Sequence, residues 1–259
     1  MINLEKVAIT TSQNRKNLIE TAKRISAEIH INYIPRDNLS MEKIKQLHNL
    51  SHLLVVREDK IIMDEQYFFH PGMAIPRIKM LQKGETDPMV EAMDIGEGDS
   101  VLDCTLGMGN DSIVASFIVG SRGEITGLES SPIIYIVTKW GLATYSKGSK
   151  FSRVAMRNIK VINADYQVYL DNLAENSIDV IYFDPMFDIP LLKSNGINGL
   201  RVFANYEKIT QKIIKKAVRV ARKRIVIKDR KYGHLLQDLS VHEIIAGKSS
   251  KVKYGVYIK

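Results

Sequence analysis

Cysteine is nearly absent: Cys104 is the only one in 259 residues, which excludes an internal disulfide framework and a multi-cysteine metal site. No apolar run reaches membrane-spanning length, and stretches such as Ile113 to Val119 are far too short to cross a bilayer. The opening MINLEKVAITTS lacks the cationic and then apolar layout of a signal peptide. His70 and His234 stand alone, without a partner at metal-ligand spacing, so no metal is expected. Repeats and low-complexity tracts are also missing. What remains is ordinary globular composition, 45% hydrophobic and 25% charged, which argues against extensive disorder. The expectation is a soluble, cytoplasmic protein with no membrane partner. It is long enough for a full α/β core and a small accessory domain.

Acidic residues are scarce at one end only. The chain carries 37 Lys+Arg against 29 Asp+Glu, a net of +8. From Ile189 to Lys259 there are 17 basic and 4 acidic residues, so the rest of the chain is mildly acidic. A basic C-terminal third on such a body predicts a footprint for a polyanion. Lysines spread over a solvated helix face would give the same count.

Two segments follow from the pattern. In the first, residues 1–77, Val7 to Thr11 and His30 to Ile34 read as strands around an amphipathic helix from Arg15 to Glu28. Ser40 can cap a helix from Met41 to Leu47, and Leu53–Val56 with Lys60–Met63 read as a hairpin around Glu58-Asp59. The stretch from Phe68 to Pro88, with three prolines and two glycines, reads as a connector into a short helix near Met89 to Met93. The Tyr67-Phe68-Phe69 cluster suits packing better than stacking on a base.

In the second segment, residues 78–259, β-rich runs at Ser100–Cys104, Gly123–Leu128, Ile159–Asn163, Ile178–Phe183 and Arg224–Lys228 alternate with helical stretches. The helices read at about Asp111–Val119, Pro132–Tyr145, Tyr166–Leu173 and Tyr206–Arg222. This alternation predicts five parallel strands with right-handed crossovers. Val241–Ala246 and Lys251–Ile258 are separated only by GKSS and must pair antiparallel. Cys104, inside the first of these strands, reads as buried packing rather than a nucleophile.

Four motifs carry chemistry. In VLDCTLGMGND a strand ends at Asp103, and Gly107 and Gly109 form a tight loop before a helix that opens with Asn110 and Asp111. The dinucleotide fingerprint wants a third glycine where this chain has Ser112, which weakens a nicotinamide-cofactor reading. Asp103 suits a sulfonium ligand instead, because it can accept hydrogen bonds from the amino-acid moiety of S-adenosylmethionine. Glu129, followed by Ser130, falls 22 residues after Gly107, where a carboxylate can grip ribose hydroxyls. Asp165 ends the third strand and can accept from an adenine amine. Any one of these acids could be a helix cap; three of them at successive strand ends share one rim of the sheet.

The fourth motif, Asp184-Pro185-Met186-Phe187, directly follows an apolar strand. It resembles the (Asp/Asn/Ser)-Pro-Pro-(Tyr/Phe) loop of amino-methyltransferases, with Met in third place. An exocyclic amine on an aromatic ring is a weak nucleophile because its lone pair is delocalised. A carboxylate and a backbone carbonyl can hold its two protons, Pro185 restricts the loop, and Phe187 can stack on the flat target. Such catalysis is positioning and electrostatics, without a metal.

With these residues in place, the chain resembles the RsmJ-like methyltransferases, which modify guanine N2 in small-subunit ribosomal RNA. DCTLGMGND, GLES, DPMF and RIVIKDRKY carry the likeness. Leu200-Arg201-Val202-Phe203 is similar to the end of the family's basic stretch, and Val226-Ile227-Lys228-Asp229 to its strand-end Val-Val-Lys-Arg. Arg77 and Gly84-Glu85 are similar to an Arg and a Gly-Glu before its first motif. The resemblance implies a class I, Rossmann-like sheet of five parallel strands plus a terminal hairpin. It implies S-adenosylmethionine as cofactor, S-adenosylhomocysteine as product, and ribosomal RNA or a ribosomal subunit as partner. Arg77, Arg201 and Lys228 become candidate substrate contacts. The family continues its loop Asp-Pro-Met-Phe-Pro-His, whereas this chain has Asp188-Ile189, which leaves the exact nucleotide open. Other planar acceptors, such as DNA adenine or a protein glutamine, stay open, as does an idle nucleic-acid-binding module.

Overall fold

A computed structural model of the chain describes residues 3–186, 203, 206–247 and 250–259. The chain forms two compact units. The first comprises Met1–His70, Ser131–Tyr145 and Lys193–Ala204, of which last stretch Phe203 is described; the second holds the remainder.

The first unit is built on a five-stranded sheet of β1 (Val7–Thr11), β2 (Asn32–Tyr33), β3 (His52–Val56), β4 (Ile61–Met63) and β5 (Tyr67–Phe68), in the order β2-β1-β3-β4-β5. β1 runs parallel to β2 and β3, whereas β3, β4 and β5 form an antiparallel meander. Helix α1 (Lys16–Ile29) buries Leu18, Ala22, Ile25 and Ile29, a stripe at helical spacing. Helix α2 (Met41–Leu47) starts where Ser40 Oγ accepts from Lys43 N, the cap expected from sequence. Ile44 of α2 joins Ala8, Leu53, Val55 and Ile62 in a core on one face of the sheet.

Four later helices of the chain, α3 (Ala74–Gln82), α4 (Pro88–Met93), α5 (Asn110–Val119) and α6 (Pro132–Thr144), divide between the units. α6 belongs to the first. Its Lys139 and the Tyr135 hydroxyl donate to Glu28 of α1, at 2.5 and 2.7 Å. Phe69 lies where a side chain on Gly141 would be, and its ring meets Tyr145 edge-on at 5.8 Å. The aromatic cluster at 67–69 is therefore packing, with Tyr67 and Phe69 both buried.

The second unit contains β6 (Ser100–Asp103), β7 (Glu124–Glu129), β8 (Ile159–Asn163), β9 (Ile178–Phe183), β10 (Ala221–Arg230), β11 (Glu243–Ile245) and β12 (Val252–Ile258). They form one sheet in the order β11-β12-β10-β9-β6-β7-β8. β6 to β10 run parallel; β12 pairs antiparallel with β10 (Lys228 opposite Tyr254) and with β11. This is the Rossmann-like sheet expected from sequence. The order reverses between β6 and β9, the point at which open α/β sheets leave a ligand crevice beyond their strand ends. Leu102, Leu128, Ile181, Phe183, Ile225 and Ile227 pack one face against α8 (Tyr166–Asp171) and α9 (Gln211–Val220). Cys104 is buried in the same cluster.

Two parts of the second unit depart from the sequence reading. The connector before residue 88 contains α3, with Pro76 in its first turn, where an N–H has no intrahelical acceptor to lose. Helix α7 (Lys150–Arg157) was hidden in a polar stretch; Ser149 Oγ caps it by accepting from Ser152 N at 3.2 Å. A last short helix, α10 (Leu235–Leu239), follows β10. No helix among the described residues is long and apolar enough to cross a membrane.

Candidate active site

The glycine loop is fixed from both ends. Gly107 and Gly109 take φ of +53° and +71°, a left-handed backbone that disfavours other residues, and Gly109 N closes the turn on Leu106 O at 2.7 Å. Leu106 N is tied to Leu128 O of β7 at 2.9 Å. Asp103 sits beneath the loop, 2% exposed, with Oδ1 accepting from Thr105 N at 3.0 Å and Oδ2 from Ser112 Oγ at 2.6 Å. Ser112 is the residue that breaks the dinucleotide glycine pattern, and the hydroxyl it brings satisfies Asp103. Burial pushes the Asp103 carboxyl up to about 7, against the pull of these two hydrogen bonds.

Glu129 ends β7 with its carboxylate turned back to the loop, Oε2 accepting from Gly107 N at 3.1 Å. Asn163 at the end of β8 donates to the backbone carbonyls of Glu129 and Ser130, at 2.7 and 3.3 Å. Asp165 is the N-cap of α8, one oxygen accepting from Gln167 N and Val168 N. The sequence reading left both a cap and a ligand contact open for it; the cap uses only Oδ1, so the second oxygen has no partner among the described residues. Asn110 Oδ1 accepts from Ala74 N, joining the start of α5 to the start of α3.

A chain of charges runs beside this loop. Arg77 grips Asp87 with two parallel bonds of 2.7 and 2.9 Å and reaches Asp111 Oδ1 at 2.5 Å. Asp111 Oδ2 accepts from Lys228 Nζ at 2.8 Å and from the buried Tyr182 hydroxyl at 2.7 Å. Lys228 makes a second bond, also 2.8 Å, to Asp184 Oδ2. Asp184 N in turn donates to Thr105 Oγ1 at 2.6 Å, tying the catalytic-type loop to the glycine loop. The side chains of Arg77 and Lys228 are only 19% and 17% exposed, so both sequence-proposed substrate contacts sit in ion pairs inside the protein.

The electrostatics follow from that placement. Burial alone would raise the Asp111 carboxyl, but Lys228 and Arg77 reverse the effect and hold it far below the usual carboxylate range. Burial opposes the Lys228 ammonium, yet Asp111 and Asp184 keep it charged well above the ordinary lysine range. Asp184 is raised by desolvation and by Asp111, with Lys228 pulling against both. Of the remaining sequence candidates, Pro185 follows Asp184 half-buried, whereas Phe187 and Arg201 lie outside the described residues. Sequence reading missed Asp87, Thr105, Ser112 and Tyr182. Only Ser112, as the departure from a glycine pattern, carried a local signal.

The basic C-terminal third is largely occupied with structure. Lys216 pairs with Asp171 at 2.6 Å, and Arg219 donates to the carbonyls of Leu170 and Leu173 at the end of α8. Arg222, Lys223 and Arg224 pair with Asp179, Asp99 and Asp94.

The rim suits a sulfonium nucleoside. Among the described residues, a Cβ added at Gly107 would meet only Thr105 O at 3.9 Å, and carboxylates close three adjacent parallel strands at this rim. The family model of SAM-dependent methyltransferases matches residues 46–259. The chain belongs to that family. A relative of this methyltransferase in Bacillus subtilis, the uncharacterized protein YpiP, is 39% identical over 225 residues, 85% of this chain and 88% of that protein. The ribosomal RNA small subunit methyltransferase J of Buchnera aphidicola is 32% identical over 152 residues, 58% of this chain and 59% of that enzyme. Its namesake in Desulfotalea psychrophila is 28% identical over 178 residues, covering 66% and 65%. The match therefore spans less than two thirds of these two enzymes, and it makes the methyltransferase RsmJ-like. A SAM-dependent methyltransferase from Neisseria gonorrhoeae has the same fold, with a TM-score of 0.65 at 16% identity over 97% of this chain and 95% of that one.

Proposed function

We propose that the methyltransferase transfers a methyl group to an exocyclic amine of RNA, the guanine N2 of small-subunit ribosomal RNA being the favoured acceptor. The observation that carries this reading is the placement of Asp184. Its carboxylate stands at the sheet's reversal point, directly after β9, anchored through its own N–H to Thr105 and through Oδ2 to Lys228. The names of the rRNA methyltransferase relatives support the RNA part.

In this reading Asp103, Gly107, Gly109, Asn110, Asp111, Glu129, Ser130 and Asp165 shape the cofactor site. Glu129 holds ribose hydroxyls, Asp165 meets the adenine amine through its second oxygen, and Asp103 and Asp111 set the loop and helix start. Bound S-adenosylmethionine supplies an electrophilic methyl group and leaves as S-adenosylhomocysteine. Asp184 accepts a hydrogen bond from the acceptor amine, concentrating its lone pair, and takes up the proton the nitrogen sheds as the N–C bond forms. Desolvation raises the Asp184 carboxyl, which makes it the stronger base. Pro185 fixes the loop and Phe187 stacks on the target base. Arg77 and Lys228 serve the substrate indirectly, by holding Asp111 and Asp184 in place, and Arg201 contacts RNA.

The test is label transfer. Enzyme and methyl-labelled cofactor are incubated with small ribosomal subunits, free ribosomal RNA, DNA and protein extract, all from a strain lacking the gene. Label in RNA, mapped by mass to a guanine, is expected. Label only in DNA or protein refutes the RNA assignment.

A further inference from the structure

Beyond Lys228, the chain ends β10 in a tight turn with an unusual display. Gly233 N bonds back to Arg230 O at 2.9 Å, and Lys231 N bonds to Lys251 O at 2.9 Å at the foot of β12. Lys253 Nζ donates to Gly233 O at 2.8 Å. Inside the turn Asp229 Oδ1 accepts from Arg230 N, and it occupies the place where a Cβ on residue 233 would sit. The turn is thus built from below and can take no side chain at Gly233. It leaves Tyr232 84% exposed, with the Lys231 ammonium 5.9 Å from the ring centre. Among the described residues no carboxylate pairs with Arg230, Lys231 or Lys251, unlike Lys216 of α9 and Arg222, Lys223 and Arg224 of early β10.

Position gives the display its meaning. Arg230 is two residues beyond Lys228 on the same face of β10, about 7 Å along the strand, and Lys228 holds Asp184. The turn is therefore on the rim that carries the catalytic-type loop. An exposed aromatic ring among cations is what a single strand of nucleic acid uses, because every base offers a face and every link a phosphate.

We propose that the Arg230–Gly233 turn is the docking platform for the RNA strand next to the acceptor nucleotide. Tyr232 stacks on a neighbouring base, and Arg230, Lys231 and Lys251 meet its phosphates. This rests on RNA being the acceptor.

The test uses full-length Tyr232→Ala, Tyr232→Phe and an Arg230→Gln/Lys231→Gln double variant. Methyl transfer to in vitro transcribed small-subunit ribosomal RNA is measured across a salt series, and cofactor affinity by calorimetry. Tyr232→Ala is expected to raise KM between about 5-fold and about 100-fold, the range of one lost base stack. Its kcat and cofactor affinity should stay within about two-fold, a margin that separates lost docking from lost chemistry, and Tyr232→Phe should restore KM. The double variant should flatten the salt slope by about one unit per lost phosphate contact. Wild-type KM in Tyr232→Ala, on RNA that the wild type methylates, overturns the platform alone. A wild type that neither binds nor labels any RNA overturns the acceptor assignment, and the platform with it.

Discussion

Replacing Asp103 by Asn should flatten the loss of stability that the wild type suffers between pH 5 and pH 8. Asp103 is 2% exposed, and burial moves its carboxyl from 3.8 to about 7. A displacement of about three units corresponds to about 4 kcal/mol between its two protonation states. Its sign is that of a raised acid: the folded state favours the neutral form. The stability this contributes is complete below about pH 4 and is lost as pH rises through about 7. The amide cannot ionise, so it avoids that loss. Its oxygen can accept from Thr105 N while its NH2 donates to Ser112 Oγ, whose hydroxyl turns to accept, so both neighbours stay satisfied at every pH. The variant should thus gain on the wild type by about 2–3 kcal/mol between pH 5 and pH 8, since about two of the three units are lost across that range. Urea unfolding midpoints of the cofactor-free proteins at these pH values measure the swing. Two stability curves that stay parallel from pH 5 to 8 refute the argument, because they require Asp103 to titrate alike in folded and unfolded chains.

Three further outcomes are expected. Asp184→Ala should lower turnover about 100-fold or more while leaving cofactor affinity nearly unchanged; single-turnover kinetics with calorimetry separate the two. Glu129→Ala should weaken cofactor binding by about 1–3 kcal/mol through lost charged hydrogen bonds, and unchanged affinity would remove it from the ribose site. Lys228→Met leaves Asp111 and Asp184 without their shared cation, so it should destabilise the fold by about 3–5 kcal/mol. It should also move the acid limb of the pH–rate profile upward, since Lys228 is what pulls the Asp184 carboxyl down.

The sheet was legible because the parallel strands are short apolar runs and four of the five have a chemically marked end: Asp103, Glu129, Asp165 and Asp184 each fall at the close of one strand. Their partners were not legible. Asp87 and Asp111 meet at Arg77 only because α3, α4 and α5 converge, and the sequence separations of 10 and 34 residues give no periodic signal. Tyr182 looked like strand packing, yet its hydroxyl is bonded to Asp111. Prolines concealed α3, since a proline in the first turn of a helix looks locally like one in a linker. Counting charge left two readings open, a polyanion footprint and a solvated face. Lys216, Arg219 and Arg222 resemble a polyanion footprint in composition, but they are spent on carbonyls and carboxylates of their own unit.

Helix α6 has a consequence for how this protein can be divided. It follows β7 in the chain yet belongs to the first unit, where Gly141 receives Phe69 and Lys139 binds Glu28. The polypeptide leaves the second unit after Ser130 and re-enters it at Ser146. A fragment beginning at residue 78 would keep α6 but strip away α1 and Phe69, leaving Tyr135 and Lys139 without Glu28 and Gly141 without the ring that packs on it. Such a fragment should aggregate rather than work as a minimal enzyme. One helix of the later segment completes the first unit, so neither unit is a single continuous stretch of chain.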